Sequence, residues 1–395
     1  MEHNKLIFSK VPTLRFKKYD TNWDRKKLSD YVKKITRKNS NNVIKNVICN
    51  SAQNGLIPQL DFFDKEIANN ENTAGYYIIS NGDFVYNPRK SLSAPYGPVN
   101  IYKYDSDGIV SPLYLCFSVD DCINKSFLLQ RFKSPCWYRY IYLNGDSGAR
   151  HDRVSIKDEV FLSQPINLPN AEEQAVIAEF LEKIDERISV QNKIISDLKV
   201  LKKELCNKVF GKGSAVRLGD FIEEVTTRNK SNSCENVLSV SNKMGFIKQS
   251  EQFEDRTVAS ENKSNYKVVT EGCFAYNPAR INVGSIALLS TYKIGIISPM
   301  YVCFKTKSNL NSEYLNFYYQ SGFFYKELQK KLEGSVRQCL TYENMSEILI
   351  PYVGIEEQKA IAVTLNKFAT LIATEEKYIK SLQKQKSYFL NAMFI

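Results

Sequence analysis

The chain has 395 residues, with 54 Lys plus Arg against 43 Asp plus Glu and a formal charge of +11. That length exceeds one ordinary core, since domains usually run to about 100–200 residues, and the basic balance favours a polyanionic partner such as nucleic acid. No apolar run reaches the ~18 uncharged residues of a membrane-spanning helix, and Met1 to Asp20 lack a signal-peptide core. A cytoplasmic protein with no membrane partner is expected. The nine cysteines form no Cys-x-x-Cys pair and the only histidines are His3 and His151, so no metal site is expected and the cysteines read as reduced core residues.

Taken in chain order, the elements occur twice. Leu28-Ser29-Asp30-Tyr31-Val32 falls opposite Leu218-Gly219-Asp220-Phe221-Ile222, and the same register carries Thr36, Asn39, Gly55 and Phe63 onto Thr226, Asn229, Gly245 and Phe253. Gly82-Asp83-Phe84-Val85-Tyr86-Asn87-Pro88 then matches Gly272-Cys273-Phe274-Ala275-Tyr276-Asn277-Pro278. After a short deletion in the second copy, the run from Gly108 to Phe117 pairs with that from Gly295 to Phe304, and Arg150 falls opposite Arg337. An internal repeat of this extent means two folded units of one kind. Within each, short runs rich in Val, Ile, Tyr and Phe bounded by Gly, Asn and Pro read as strands joined by turns. A mixed α/β globule (α+β in layout) with a twisted sheet is expected.

Each copy ends differently. Glu172-Glu173-Gln174 and Glu356-Glu357-Gln358 open two long apolar-periodic segments. In the first, Ile177, Leu181, Ile184, Ile188, Ile195, Leu198 and Leu205 follow the 4-3 spacing of a coiled-coil seam, interrupted by Gln191. The second repeats the stripe with Ile361, Leu365, Phe368, Ile372, Ile379, Leu382 and Phe389. Asn170 and Glu173 read as a capping box and Gly211 as a stop. A helix of about 40 residues, roughly 60 Å at 1.5 Å per residue, is far above the mean of about 12. Neither helix can bury its stripe alone, so two long antiparallel helices are expected, relating the halves by a pseudo-two-fold axis. The predicted domains are residues 1–169, a spacer helix 170–210, a second globule 211–354 and a second spacer helix 355–395.

Globule, long helix, globule, long helix, with Glu-Glu-Gln opening each helix, resembles the specificity subunits of type I restriction-modification enzymes. Val11-Pro12-Thr13-Leu14-Arg15-Phe16 with Trp23 and Leu28, the Tyr-Asn-Pro blocks, and Gly334-Ser335-Val336-Arg337 add to the likeness. The first half departs from it at Ser147-Gly148-Ala149-Arg150 and between Pro165 and Pro169. The resemblance implies a subunit with two target-recognition domains that reads a bipartite DNA site with an unread gap. It further implies two adenine-N6 methyltransferase subunits held by the helices, and motor-nuclease subunits in the full enzyme. S-adenosylmethionine, ATP and Mg belong on those partners, and none on this chain.

Candidate DNA contacts follow the repeat. Arg37-Lys38 and Arg228 with Lys230, in polar segments, suit phosphate contacts, and equally an ordinary solvated loop. Asn87 and Asn277 are read either as turn residues after a strand or, with Arg89 and Arg280, as a DNA-facing loop. Arg150 and Arg337 suit bidentate contact with guanine or phosphate, and equally a structural ion pair. Lys243, with Ser241-Asn242 and Ser51-Ala52-Gln53, follows a strand and precedes a glycine, which reads either as a loop that differs between the halves to read different bases or as an ordinary polar turn. His151, read as a DNA-facing or partly buried histidine, and its counterpart Gln338 complete the set. No paired carboxylates, nucleophile with a base, or Gly-x-x-x-x-Gly-Lys loop occurs, so an enzyme is not expected. A structural coiled-coil protein without DNA specificity is the rival reading. The asymmetry of the halves predicts an asymmetric target.

Overall fold

A computed structural model describes residues 11–62, 73–146, 152–242, 244–252, 263–332 and 338–395. The chain divides into two compact units, Met1–Gln191 with Tyr378–Ile395, and Asn192–Lys377. Each unit holds one globule and a stretch of both long helices.

The first unit contains β1 (Asp24–Lys27), β2 (Val32–Lys34), β3 (Ile48–Ser51), β4 (Gly55–Pro58), β5 (Tyr77–Ile79), β6 (Phe84–Tyr86), β7 (Val99–Ile101), β8 (Gly108–Val110) and β9 (Leu115–Val119). Helices α1 (Lys125–Lys133), α2 (Tyr138–Asn144) and α3 (Asp158–Leu162) follow, then β10 (Pro165–Leu168) and the long helix α4 (Ala171–Phe210). Strand order β2-β9-β6-β7 makes an antiparallel sheet. The β3-β4 hairpin and the β5-β8 pair meet through a parallel bridge between Val47 and Ile109, and β1 pairs with β10.

The layering explains why β6 is buried along its whole length. Phe84 and Tyr86 face a cluster with Phe117, Phe132, Trp137 and Phe161 beneath the helices, while Val85 faces Ile48, Leu56, Ile79 and Cys116 on the other side. A strand covered on both faces shows no polar alternation. Where the sequence suggests one twisted sheet, each globule has separate small sheets, because strands of three to five residues end at frequent turns before a wide sheet can form.

The second unit repeats this order: β11 (Ser214–Arg217), β12 (Ile222–Glu224), β13 (Val237–Ser241), β14 (Gly245–Lys248), β15 (Lys267–Thr270), β16 (Cys273–Tyr276), β17 (Ile286–Leu288), β18 (Ile294–Ile297) and β19 (Val302–Thr306). Then come α5 (Ser312–Tyr319), α6 (Gly322–Lys331), α7 (Tyr342–Ser346), β20 (Leu349–Tyr352) and the long helix α8 (Ile355–Ala392). Here β14-β13-β18-β15 forms one continuous sheet, with β13 and β18 parallel. Equivalent pairs recur: Phe84 stacks on Phe117 at 5.5 Å and Phe274 on Phe304 at 5.1 Å. Glycine is required at the start of the repeated Gly-Ile-Ile/Val strand. A Cβ on Gly108 would lie 2.7 Å from Ile48 Cγ1, and one on Gly295 only 2.4 Å from Leu238 Cδ1.

The long helices run antiparallel. In the first unit Phe180 meets Phe389 at 5.0 Å, Asp185 pairs with Lys386, and the Arg187 guanidinium lies 5.5 Å from the Tyr378 ring. In the second, Lys199 pairs with Glu376 at 2.6 Å. The helix ends also feed the globules. Ile177 and Leu181, together with Leu390, Met393 and Phe394 of α8, belong to the first core; Cys206 and Phe210 of α4, with Ala362 and Leu365, belong to the second. Phe394 packs on Phe127 as Phe210 packs on Tyr314. Of the remaining stripe, Ile195, Ile372, Ile379 and Leu382 are buried, and Ile184, Ile188, Leu198, Ile361 and Phe368 half-buried. Gln191 is buried with them.

The Glu-Glu-Gln openings have distinct tasks. Gln174 accepts from the Asn124 amide and donates to Pro169 O; Gln358 does the same with Asn311 and Val353. Each buried glutamine thus ties the long helix to the cap of α1 or α5. The capping box is only half formed. Asn170 accepts from the Glu173 amide at 2.8 Å, but the Glu173 carboxylate does not reach back. It instead takes both Arg15 Nε and Nη2 at 2.7 Å and the Trp23 indole at 3.3 Å, a stronger charge-assisted use of a fully buried acid.

Candidate nucleic-acid interface

The first unit carries an open cavity of ≈420 Å³ where the β3-β4 loop, the turn after β6, the β8-β9 turn and Arg153 converge. Its lining includes Ser51, Gln53, Asn87, Arg89, Lys90, Tyr114 and Arg153 and contains no acidic side chain. The turn after β6 is built by Asn87. Its Oδ1 accepts from the Arg89 amide at 3.0 Å, its Nδ2 donates to Asn50 O at 3.1 Å, and its own amide donates to Pro98 O at 3.0 Å. Gly97, at φ +85, passes so close that a Cβ there would sit 2.1 Å from Asn87 O. The turn is then fixed sideways: Arg89 bridges Arg153, and Lys90 N and Val154 N donate to Asp152 O and Pro88 O at 2.8 Å.

Asn87 is therefore a turn former, with both ends of its amide occupied, and Arg89 is what the turn presents. The Arg89 guanidinium is mostly exposed and reaches only to 4.0 Å from the Asp152 carboxylate. Burial raises the Tyr114 phenol and the Cys49 thiol above their ordinary ranges, so both stay protonated at the cavity edge. A basic, amide- and hydroxyl-rich concavity without carboxylates has the donors and acceptors that suit phosphate and base edges.

The second unit builds the same turn. Asn277 Oδ1 accepts from the Ala279 amide at 3.0 Å, Leu340 N donates to Pro278 O at 3.2 Å, and exposed Arg280 leads into a 3-10 turn, Ile281–Val283, closed by Gly284 at φ +88. Gln338 is exposed close by in sequence to Leu340.

The structure does not bring Arg37 into the cavity. It is held by Asp107 at 2.8 Å, at the end of β8 away from Ser111. Lys38 and Lys230 are exposed, and Arg228 donates to Asn265 O at 2.8 Å. Between them Asn39 and Asn229 are buried latches, each clasping the backbone five residues on, at Ile44 and Cys234. Arg150, His151, Lys243 and Arg337 lie outside the described residues. Sequence reasoning missed Lys90, Tyr114, Arg153, the buried Asn50 and the half-buried Asn100. The legible signal was Asn50, an amide at an inward position of the strand Ile48-Cys49-Asn50.

Among the described residues no group of His, Cys, Asp or Glu is placed to hold a metal ion, and no helix is long and apolar enough to cross a membrane. The model for the type I restriction modification DNA specificity domain matches residues 20–200 and again 214–384, one match on each repeat. The chain belongs to this specificity-domain family. Relatives include the type I restriction enzyme MjaVIII specificity subunit of Methanocaldococcus jannaschii, 26% identical over 72% of this chain and 70% of its own length. The putative MjaX specificity subunit of the same organism is 26% identical over 68% and 66%. The specificity domains also share their fold with solved structures. The type I restriction-modification S subunit of M. genitalium aligns at TM-score 0.58, 13% identity, covering 98% of this chain and 99% of that one. A chain from a structure on complex assembly and conformational transition of the type I R-M system aligns at 0.55, with 16% identity and 93% and 96% covered.

Proposed function

We propose that this chain is the non-catalytic DNA-recognition subunit of a type I restriction-modification enzyme. Residues 1–169 and 211–354 act as two target-recognition domains, each reading one half of a bipartite, asymmetric site. The helices 170–210 and 355–395 are spacers that set the unread gap and dock two methyltransferase subunits, with motor-nuclease subunits joining in the full enzyme. S-adenosylmethionine, ATP and Mg bind those partners in the cytoplasm. The observation that carries this reading is the double match: one DNA specificity model fits each repeat, while the polar loops at corresponding edges differ, Ser51-Ala52-Gln53 against Ser241-Asn242-Lys243. Different loops on one scaffold are what two different half-sites require.

The test is to co-express the chain with its adenine methyltransferase partner and map N6-methyladenine by single-molecule sequencing. A gapped, two-part, asymmetric motif that depends on this chain is expected. A palindromic motif, or none, contradicts the proposal.

A further inference from the structure

The two units differ beneath the recognition surface. In the first, three asparagine side chains, two on different strands and one in the turn after β6, knit the cavity together. Asn50 on β3 is 5% exposed and donates to Val85 O at 2.7 Å. Its Oδ1 accepts from Asn100 on β7 at 2.7 Å, and Asn100 also reaches Ser51 O at 3.1 Å. Asn87 closes the set by donating to Asn50 O. Two cavity walls, the loop from Ser51 and the turn carrying Arg89, are thereby tied to one amide cluster centred on the buried Asn50. In the second unit the register places Val240 where Asn50 stands, since Asn50 pairs with Leu56 and Val240 with Phe246. Ala287 likewise replaces Asn100, pairing with Ala275 as Asn100 pairs with Val85. Both replacements are buried, and only Asn277 of the three amides is kept.

A mutually hydrogen-bonded amide cluster around a buried member fixes geometry more than it adds stability, because that member has few arrangements that leave no polar atom unpaired. An apolar Val-Ala pair packs the same space without that directional constraint. Resting on the reading of the cavity as a DNA interface, we infer that Asn50 and Asn100 are positioning residues for base recognition by the first unit alone. They hold the Ser51–Gln53 wall and the Arg89 turn at a fixed separation across the DNA surface. The second unit sets its own walls by other means, among them the turn Ile281–Val283 and a Ser285 hydroxyl donating to Val240 O at 3.4 Å.

The test is the double variant Asn50→Val with Asn100→Ala, which installs the pair that the second unit already accommodates, together with Asn100→Ala alone in case the double variant fails to fold. Each full-length chain is co-expressed with the methyltransferase partner, its thermal unfolding measured and its methylation motif mapped position by position. The inference expects discrimination at positions of one half-site to fall tenfold or more while the other half-site is unchanged. An intact motif in the folded variants overturns it, as does an equal loss of methylation across both half-sites. Arg89→Ala with Arg153→Ala separates the two levels. If that pair also leaves the motif intact, the cavity is not the DNA interface. If it alters one half-site and the asparagine variants do not, only the positioning role fails.

Discussion

Helices α1 and α5 occupy corresponding places but face their long helices with opposite chemistry. On α1, Gln130 and Lys133 bind Asp185 of α4, which also pairs with Lys386 of α8, and buried Arg131 donates to Gln164 Oε1 at 3.0 Å and Pro165 O at 2.7 Å. In the second unit the same positions are Phe317 and Tyr318 on α5 and Gln320 just past its end. Lys202, the counterpart of Lys386, lies over the Phe317 ring at 5.1 Å, and Tyr318 reaches Leu349 O at 2.9 Å, as Arg131 reaches Pro165 O. The counterpart of Asp185 is Ala369. One backbone solution thus accepts a charged junction in the first unit and an aromatic one in the second. The charged version costs desolvation at Arg131 and Lys386, so removing Asp185 leaves the Lys386 ammonium mostly buried without its partner.

The comparison breaks most sharply where the two units agree. Leu181 and Leu365 are both fully buried in their own globule's core, so Leu181→Asp and Leu365→Asp should each cost more than about 4 kcal/mol. Hydrogen exchange should show loss of protection in the first unit for one and in the second for the other. Loss of methyltransferase binding with both cores intact would contradict this.

A smaller effect is expected at Arg131. Alanine there strands Gln164 Oε1 and Pro165 O and should cost about 2–4 kcal/mol, whereas Arg131→Tyr, copying Tyr318, should stay within about 1.5 kcal/mol. Equal destabilisation in urea titrations would show that the two junctions are not interchangeable.

The smallest is a pH effect. Burial, followed by the Lys133 charge, holds the Lys386 ammonium down to about 8 from an ordinary 10.5. Between those values the unfolded chain binds more protons than the folded one, so this lysine's contribution to stability rises with pH through that window. Lys386→Met should remove a rise of about 3 kcal/mol. An unchanged difference between variant and parent from pH 8 upwards would contradict it.

The repeat, the long helices and the family were legible because they rest on sequence period: the doubled blocks from Leu28 and Leu218 and the 4-3 apolar stripes. The task of Gln174 and Gln358 was not, because each acts on a partner about fifty residues away, Asn124 or Asn311, which no local pattern links. Asn87 and Asn277 were readable as turn residues from Asn-Pro alone. The cavity was only half readable. Arg89 could be named from its turn, but Arg153 and Tyr114 join it through strand pairing that brings distant segments together. The Arg37 ion pair with Asp107 was unreadable for the same reason, since the two lie seventy residues apart.

The most direct test of two recognition units on one scaffold is to replace residues 24–168 by a second copy of 214–352, with Asp185→Ala to suit the aromatic junction, and to map N6-methyladenine in cells that supply the methyltransferase. The account predicts a motif made symmetric, both halves being the half-site read by the second unit. Retention of the original asymmetric motif, or an unrelated one, would contradict it.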